Sequence, residues 1–555
     1  MADSTIASTP SAWRVRQLRD GDSVRIVGVE PTAIAPAKDA VTLQSLPSII
    51  SEDAPPPATR YEEVVYTNGA LPKEARAFAE AAAVQGRRPW PGSEVRTIAS
   101  SGQIENRINL TIVGDGYTAA QKDQFFADAQ RMTDDLFSAT TFKSYLPLFN
   151  VHAVFVPSNQ SGLTDGSDER DTALGLYRSP AGSKRGIMPG NPDAIDRAVA
   201  LAPATDYPIL MANDDFYGGL GGQYAITTRS ERSGKVVLRH ELGHNFGNVG
   251  EEYDGGYVYD GANHSDSADV PWKAWVDGDL QAFSGKPLVG EYPWRNLKEG
   301  PINYTFKVEG PHDGQRPSLR IDGSFVGWET KDDVQFLLDG KPIEAQIDPT
   351  NDRGFFLIGT ADDIAPGKHK LTVQEKVADG DNQLASIRVT QYQPGYDFTP
   401  GKIGAFPSFN DWGSMSGYRP THESCLMRDM TNPEFCAIDK ENMWHQFLER
   451  VSLIDGLSVG IGGGTGDGGD DGDGGDGGGD NSHTRVIALR TPSLDGLQIK
   501  WSKVLPDGQE EPQPKLNGKK RWRPADDDTA PIACTCRTPR QRCAPKTSTS
   551  PRRAT

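Results

Sequence analysis

At 555 residues the chain exceeds one average domain, and three or four folded units are expected from domain sizes of roughly 100–200 residues. A formal net charge of −18 argues against a nucleic-acid-binding class, whose binding face must neutralise phosphates. No run of about 18 apolar residues occurs, so no segment reads as a membrane-spanning helix.

Residues 1–100 mix short β-type runs such as "SVRIVGV" with Pro- and Ala-rich stretches, and read as a small β-rich N-terminal region and linker. The first residues lack the basic, apolar and small-residue order of a secretory signal. From 101 to 299 the pattern sharpens. "NRINLTIVGDGYT" is a buried-strand run, "AAQKDQFFADAQRMTDDLFS" repeats apolar residues at helical spacing, and "FNVHAVFVPS" and "DYPILMAND" are further strands, with "GNPDAIDRAVALA" a helix between them. Strands alternating with helices predict an α/β (α+β) layout. "YGGLGGQYAIT" is glycine-rich and then strand-like, either an edge strand or a plain glycine loop.

Between 300 and 395 short strands alternate with Asp-Gly and Pro-Gly turns, which predicts an inserted β-sandwich. Residues 396–458 return to the chemistry of the first part. Residues 459–482 form a Gly/Asp-rich linker with too little apolar content to fold. The remainder, 483–555, is a short β-like segment and a basic tail expected to be disordered. Five cysteines fall as Cys425 with Cys436, and Cys534, Cys536 and Cys543. An odd number leaves at least one thiol unpaired within the monomer, and Cys425 and Cys436 are spaced either for a short local disulfide or as two reduced thiols.

The chemistry concentrates in "VVLRHELGHNFGNVGEEYDGG", where His240, Glu241 and His244 form an H-E-x-x-H pattern. Four residues apart on a helix, the two histidines share a face and can offer two nitrogens to one ion. Glu241, beside that face, is placed to take a proton from an activated water. The pattern alone is moderately specific; the apolar lead-in, a glycine at the helix end and the acidic cluster beyond it strengthen it. In the metzincin form a histidine stands six residues after the second ligand, but here that slot holds Gly250, which has no side chain. Carboxylate can replace it. If the segment is extended, Glu252 faces as position 250 would and Glu251 points opposite, so Glu252 is the preferred third ligand and Glu251 the alternate. His264 and Asp254 remain as further candidates. Downstream, "GYRPTHESCLMRDMTNPEFC" contains Cys425-Leu426-Met427, which resembles a Met-turn, with Met427 as an apolar floor under the metal. Tyr418, and less so Arg419, could reach a substrate carbonyl as electrophilic support.

Taken together, "NRINLTIVGDGYT…", "HELGHNFGNVGEEYD" and "GYRPTHESCLMRDM…FC" resemble the immunoglobulin A peptidase family of metzincin-like zinc metallopeptidases, over most of residues 105–450. The resemblance implies one catalytic zinc ion held by His240 and His244, a general base at Glu241, an acidic-Tyr element at Glu251, Glu252 and Tyr253, a protein or glycoprotein substrate, and a secreted or periplasmic setting. The function expected is a zinc metalloendopeptidase. The alternative is an inactive peptidase-like module that binds protein or carbohydrate through its β-domains; loss of Glu241 or a histidine would mark it, and all three residues are present.

Overall fold

A computed structural model describes residues 12–32, 40–47, 59–85, 90–138, 142–178, 186–254, 261–310, 317–359, 364–410, 414–462, 484–504, 509–522 and 532–537. Most of the Gly/Asp-rich stretch, and the basic end with Cys543, lie outside these residues. The chain is a mixed α/β protein with many sheets and few helices. No described helix is long and apolar enough to cross a membrane.

The N-terminal strands β1 (Ala12–Asp20), β2 (Ser23–Thr32), β3 (Ala40–Pro47) and β4 (Thr59–Thr67) pair antiparallel in the order β2-β1-β4-β3. Helix α1 (Lys73–Gln85) comes after them. Buried Glu63 of β4 receives a 3.0 Å bond from Arg450, which ties this sheet to the far end of the next unit. Burying such a pair costs the desolvation of both ions, which their mutual attraction and hydrogen bonds must offset.

The next sheet contains β5 (Glu94–Ala99), β6 (Ile108–Asp115), β7 (Phe149–Phe155), β8 (Tyr207–Ala212), β9 (Gly219–Leu220) and β10 (Ala225–Thr228), in the order β9-β10-β8-β6-β7-β5. The four central strands run parallel, and β9 and β5 close the edges antiparallel. Central position explains why β6 is buried throughout, its polar Asn109, Thr111 and Asp115 included: both its faces are covered. Alternate residues go to opposite sides. Ile108, Leu110 and Ile112 join one core with α2 (Lys122–Ser138), and Val113 joins another with α3 (Pro192–Val199). A capping box between Thr118 and Gln121 starts the turn that leads into α2.

Helix α4 (Gly234–Gly247) lies against this sheet and is buried along almost its whole length. Its end differs from the expected glycine cap: Gly247 is the last helical residue, and Asn248 takes the left-handed conformation at φ 49°. Asn is among the few residues that visit this region at modest cost. Helix α5 (Ala437–Arg450) packs beside α4, so residues before and after the intervening β unit, among them Leu242, Phe246, Met427, Met443 and Phe447, share one core.

Between them stand two sheets facing one another across a separate core that includes Ile302, Phe325, Trp328, Phe356, Leu371 and Ile387. The first sheet orders Gly285–Glu291, Gln383–Tyr392, Ser318–Trp328, Thr350–Ile358 and Gln346–Ile347; the second orders Ile302–Val308, Gly367–Glu375, Val334–Leu338 and Lys341–Ile343. Ile302–Val308 alternates strictly between buried and exposed residues, the signature of a strand with one wet face. The first strand begins at Gly285, upstream of residue 300. It is an edge strand carrying Pro287 and burying little, which removes the alternation that would reveal it in sequence. Further on, Gly456–Gly462 pairs with Thr484–Arg490, and Gln498–Val504 with Ile532–Arg537.

Candidate metal centre

The site is built on the C-terminal half of α4 and the turn that leaves it. His240 and His244 sit one turn apart with ring centroids 5.1 Å apart, both buried. Each ring is oriented by a backbone carbonyl at Nδ1: His240 by Leu426 O at 3.4 Å and His244 by Val249 O at 2.9 Å. Fixing Nδ1 leaves Nε2 of both rings for the same point in space, the arrangement that metal-ligating histidines use. That point is shared by Glu251, whose Oε2 lies 3.0 Å from His240 Nε2 and whose Oε1 lies 3.1 Å from His244 Nε2.

Of the two glutamates left open as third ligand, the structure brings the alternate, Glu251, to the histidines. Glu251 turns to the histidines, while Glu252 turns away, accepting from Asn263 Nδ2 at 3.0 Å. The reason is local. Asn263 also clamps both backbone groups of Gly250, accepting from its N–H at 2.9 Å and donating to its carbonyl at 3.0 Å. With Asn248 left-handed just before, the segment is not the plain extended strand that would have aimed Glu252 inward. Asp254 instead pairs with Arg428 at 2.8 Å, and His264 Nε2 with Asp266 at 3.1 Å.

Burial alone would raise the Glu251 carboxyl, but the charges of His240 and His244 outweigh it and hold the group well below the usual carboxylate range. Burial would likewise lower His244, yet the charge of Glu251 pushes it up to about 9. A metal ion would take the place of such a proton. The donor set fits one: a tetrahedral ion with bonds of about 2.0 Å needs donors about 3.3 Å apart, close to the 3.0 and 3.1 Å separations here. Oε2 of Glu251 is buried and has no hydrogen-bond partner despite its proximity to His240, as expected of two donors aimed at a common third party.

A cavity of about 500 Å³ opens over His240, Glu241, Glu251 and Tyr253. Tyr253 stacks over His240 at 25° with centroids 6.4 Å apart. The glycine-rich stretch forms the edge strand β9 and lines the same cavity with Gly219, Leu220 and Gly221. A Cβ at Gly221 would stand 2.3 Å from Glu241 Oε2, so any larger residue there would displace that carboxylate. Met427 is fully buried, and its sulfur would lie 3.0 Å from a Cβ at Gly243, directly between the two histidines on α4.

Tyr418 does not line this cavity. Its strand, Met415–Arg419, pairs with Phe406–Phe409, its N–H donates to Ser265 O at 2.7 Å, and its side chain packs against the core that contains Met427. Arg419 is buried bracing the turn, with Nη1 on Pro407 O and Nη2 on His422 O. The tyrosines that do line the cavity are Tyr217, Tyr253 and Tyr292. Nothing in the sequence pointed to the opposite wall, where the two-sheet unit contributes Arg320, Asp322, Phe355 and Arg388. Arg388 Nε donates to Asp322 at 2.7 Å. Arg428, next to Met427, was within reach of inspection: it lines the cavity and donates to Asp254, Glu423 and the Glu252 carbonyl.

Residues 97–286 match the family described as IgA Peptidase M64. That match supports a peptidase, hence a hydrolase acting on protein. No curated protein matches the chain. Among solved structures, a cycloisomaltooligosaccharide glucanotransferase of Paenibacillus sp. aligns at 9% identity with a TM-score of 0.12, covering 58% of this chain. The chain spans 53% of that protein's length, and so slight a likeness carries no argument.

Proposed function

We propose, for a chain that belongs to the IgA peptidase M64 family, that it is a zinc metalloendopeptidase with a metzincin-like catalytic unit and Glu241 as general base. The observation that carries this is the convergence of His240 Nε2, His244 Nε2 and the Glu251 carboxylate at a cavity that Glu241 also lines. His240, His244 and Glu251 are the proposed ligands. When bound, zinc supplies Lewis acidity that brings the pKa of a coordinated water toward about 7. Glu241 accepts the proton released by the attacking water and returns it to the departing amine. Tyr253, against His240, limits the ring's freedom, and edge strand β9 lines the cavity beside which an extended peptide would lie.

The same reading assigns residues 101–299 and 396–458 to one catalytic unit, because α4 and α5 bury their apolar faces in one core. The intervening sandwich then serves as a cleft wall, with Asp322 and Arg388 bordering the substrate.

The test is Glu241→Gln in a peptide-cleavage assay with metal analysis on the same sample. Activity should fall by about 10²- to 10⁴-fold while metal content stays at the parental value. Retained cleavage would sink the assignment of Glu241, and a fully active protein after exhaustive chelation would sink the metal.

A further inference from the structure

Behind the candidate centre lies a second group of donors that the peptidase reading does not use. Sγ of Cys425, Sγ of Cys436 and one carboxylate oxygen each from Glu252 and Asp439 lie within 4.8 Å of one another. All four residues are buried, none more than 5% exposed, and both cysteines are free thiols. Cys425 Sγ is 2.9 Å from Asp439 Oδ2 and accepts from the Cys436 N–H at 3.3 Å. Two oxygens are left over. Glu252 Oε2 and Asp439 Oδ1 are buried without a hydrogen-bond partner, and no ion pair to either carboxylate occurs among the described residues. Two carboxyl groups and two thiols enclosed together, with oxygens unsatisfied, are costly unless a cation or shared protons sit among them.

We infer that Cys425, Cys436, Glu252 and Asp439 form a second metal site, closed to solvent, for a zinc-class divalent ion. Two soft sulfurs with two oxygens suit zinc rather than calcium or magnesium, whose sites are built from oxygen alone. A tetrahedral ion would need these donors about 3.3 to 3.8 Å apart, from Zn–O near 2.0 Å and Zn–S near 2.3 Å. The donor atoms, all within 4.8 Å of one another, lie near that spacing. Binding forms two metal–sulfur and two metal–oxygen bonds and releases the two thiol protons to solvent.

Four protein ligands leave no open position, so the ion is structural. It would join the loop after α4, the turn at 425 and the start of α5. That turn carries the two carbonyls that matter next door: Leu426 O orients His240, and Met427 O accepts from the Glu252 N–H at 3.1 Å. The second ion therefore acts as a positioning element for the floor of the cavity.

The test uses the full chain carrying Cys534→Ser, Cys536→Ser and Cys543→Ser, so that no other thiol contributes. Metal analysis should give two ions per chain, one after adding His240→Ala with His244→Ala, and one after adding Cys425→Ser with Cys436→Ser to the parental background. Exchange with Co²⁺ should produce thiolate-to-cobalt charge-transfer absorption that survives the histidine substitutions. Because the cobalt spectrum is also read on the parental protein, failure of a cysteine variant to fold leaves the question decidable. One ion per chain without that absorption overturns the second site, and so does an intact mass two hydrogens lighter from a Cys425–Cys436 disulfide. Neither result touches the cavity metal, which the histidine variants and Glu241→Gln report separately.

Discussion

Glu251 and Glu252 are neighbours in sequence, equally buried in practice, and end in opposite chemical settings. Glu251 faces two imidazoles at the edge of a cavity, and Glu252 faces two thiols and a carboxyl in a closed pocket. The turn at Cys425–Met427 runs between the two clusters, giving a carbonyl to His240 on one side and a sulfur to Asp439 on the other. One short segment thus separates a donor cluster that borders a cavity from one that is enclosed. Residue type does not make the division; access and partner geometry do.

The largest effect should come from exchanging the roles of the two glutamates. Glu251→Gln removes a charged donor from the cavity, and metal affinity there should fall by more than the roughly 100-fold typical of an outer partner, with cleavage lost in parallel. Glu252→Gln should leave the cavity ion in place and lower thermal stability instead. Isothermal titration with metal and thermal denaturation of both variants measure this. An empty cavity in Glu252→Gln, with an occupied one in Glu251→Gln, would invert the comparison.

How much of this could be read beforehand differs from residue to residue. Helix α4 was legible because His240, Glu241 and His244 carry a spacing with a chemical meaning, and β6 because Ile108, Leu110, Ile112 and Val113 give a short, mostly apolar stretch before a Gly-rich turn. Met427 was legible through its neighbours. The choice between Glu251 and Glu252 was not, since it depends on the Asn248 turn and on an amide clamp from Asn263, thirteen residues beyond Gly250. Whether Tyr418 lines the cavity was not legible either, since closeness to Met427 in sequence does not fix what a side chain borders, and the lining tyrosines are Tyr217, Tyr253 and Tyr292. Asp322 and Arg388 belong to strands that read only as sandwich strands; their place on the cavity wall is a tertiary fact.

The sealed side of the turn makes a further prediction. His422 is enclosed by Tyr392, Phe398 and Phe406, with Nδ1 2.8 Å from Tyr396 Oη and Nε2 3.3 Å from Arg320 Nη1. Burial pushes its pKa down to about 2, the nearby Glu423 charge opposes this, and Arg419, Arg320 and Arg428 add to it. The folded value lies below the unfolded one of about 6.5, so stability from the neutral ring is complete above that pH and is lost as pH falls toward the folded value. Between about pH 6.5 and 4 the parental protein, measured after chelation, should lose stability more steeply than His422→Gln. Equal slopes would mean that the ring is not enclosed as described.

The smallest effect isolates the turn itself. Asn248 is left-handed at φ 49°, and its neighbour Val249 holds His244 Nδ1 through its carbonyl. Asn248→Ala forces a Cβ-bearing residue without a polar side chain into that conformation, at a cost of about 1 kcal/mol. Asn248→Gly, free of that restriction, should stay within about 1 kcal/mol of the parental protein. The cavity should feel the alanine variant as well, because a relaxing turn moves the carbonyl that orients His244 and carries Glu251 with it. Metal affinity should therefore drop less than in Glu251→Gln yet measurably, while the thiolate–cobalt absorption of the sealed cluster holds. A variant that weakened both clusters equally would mean that the turn at 248 couples them, and that the partition between open and sealed is set further along, at Asn263.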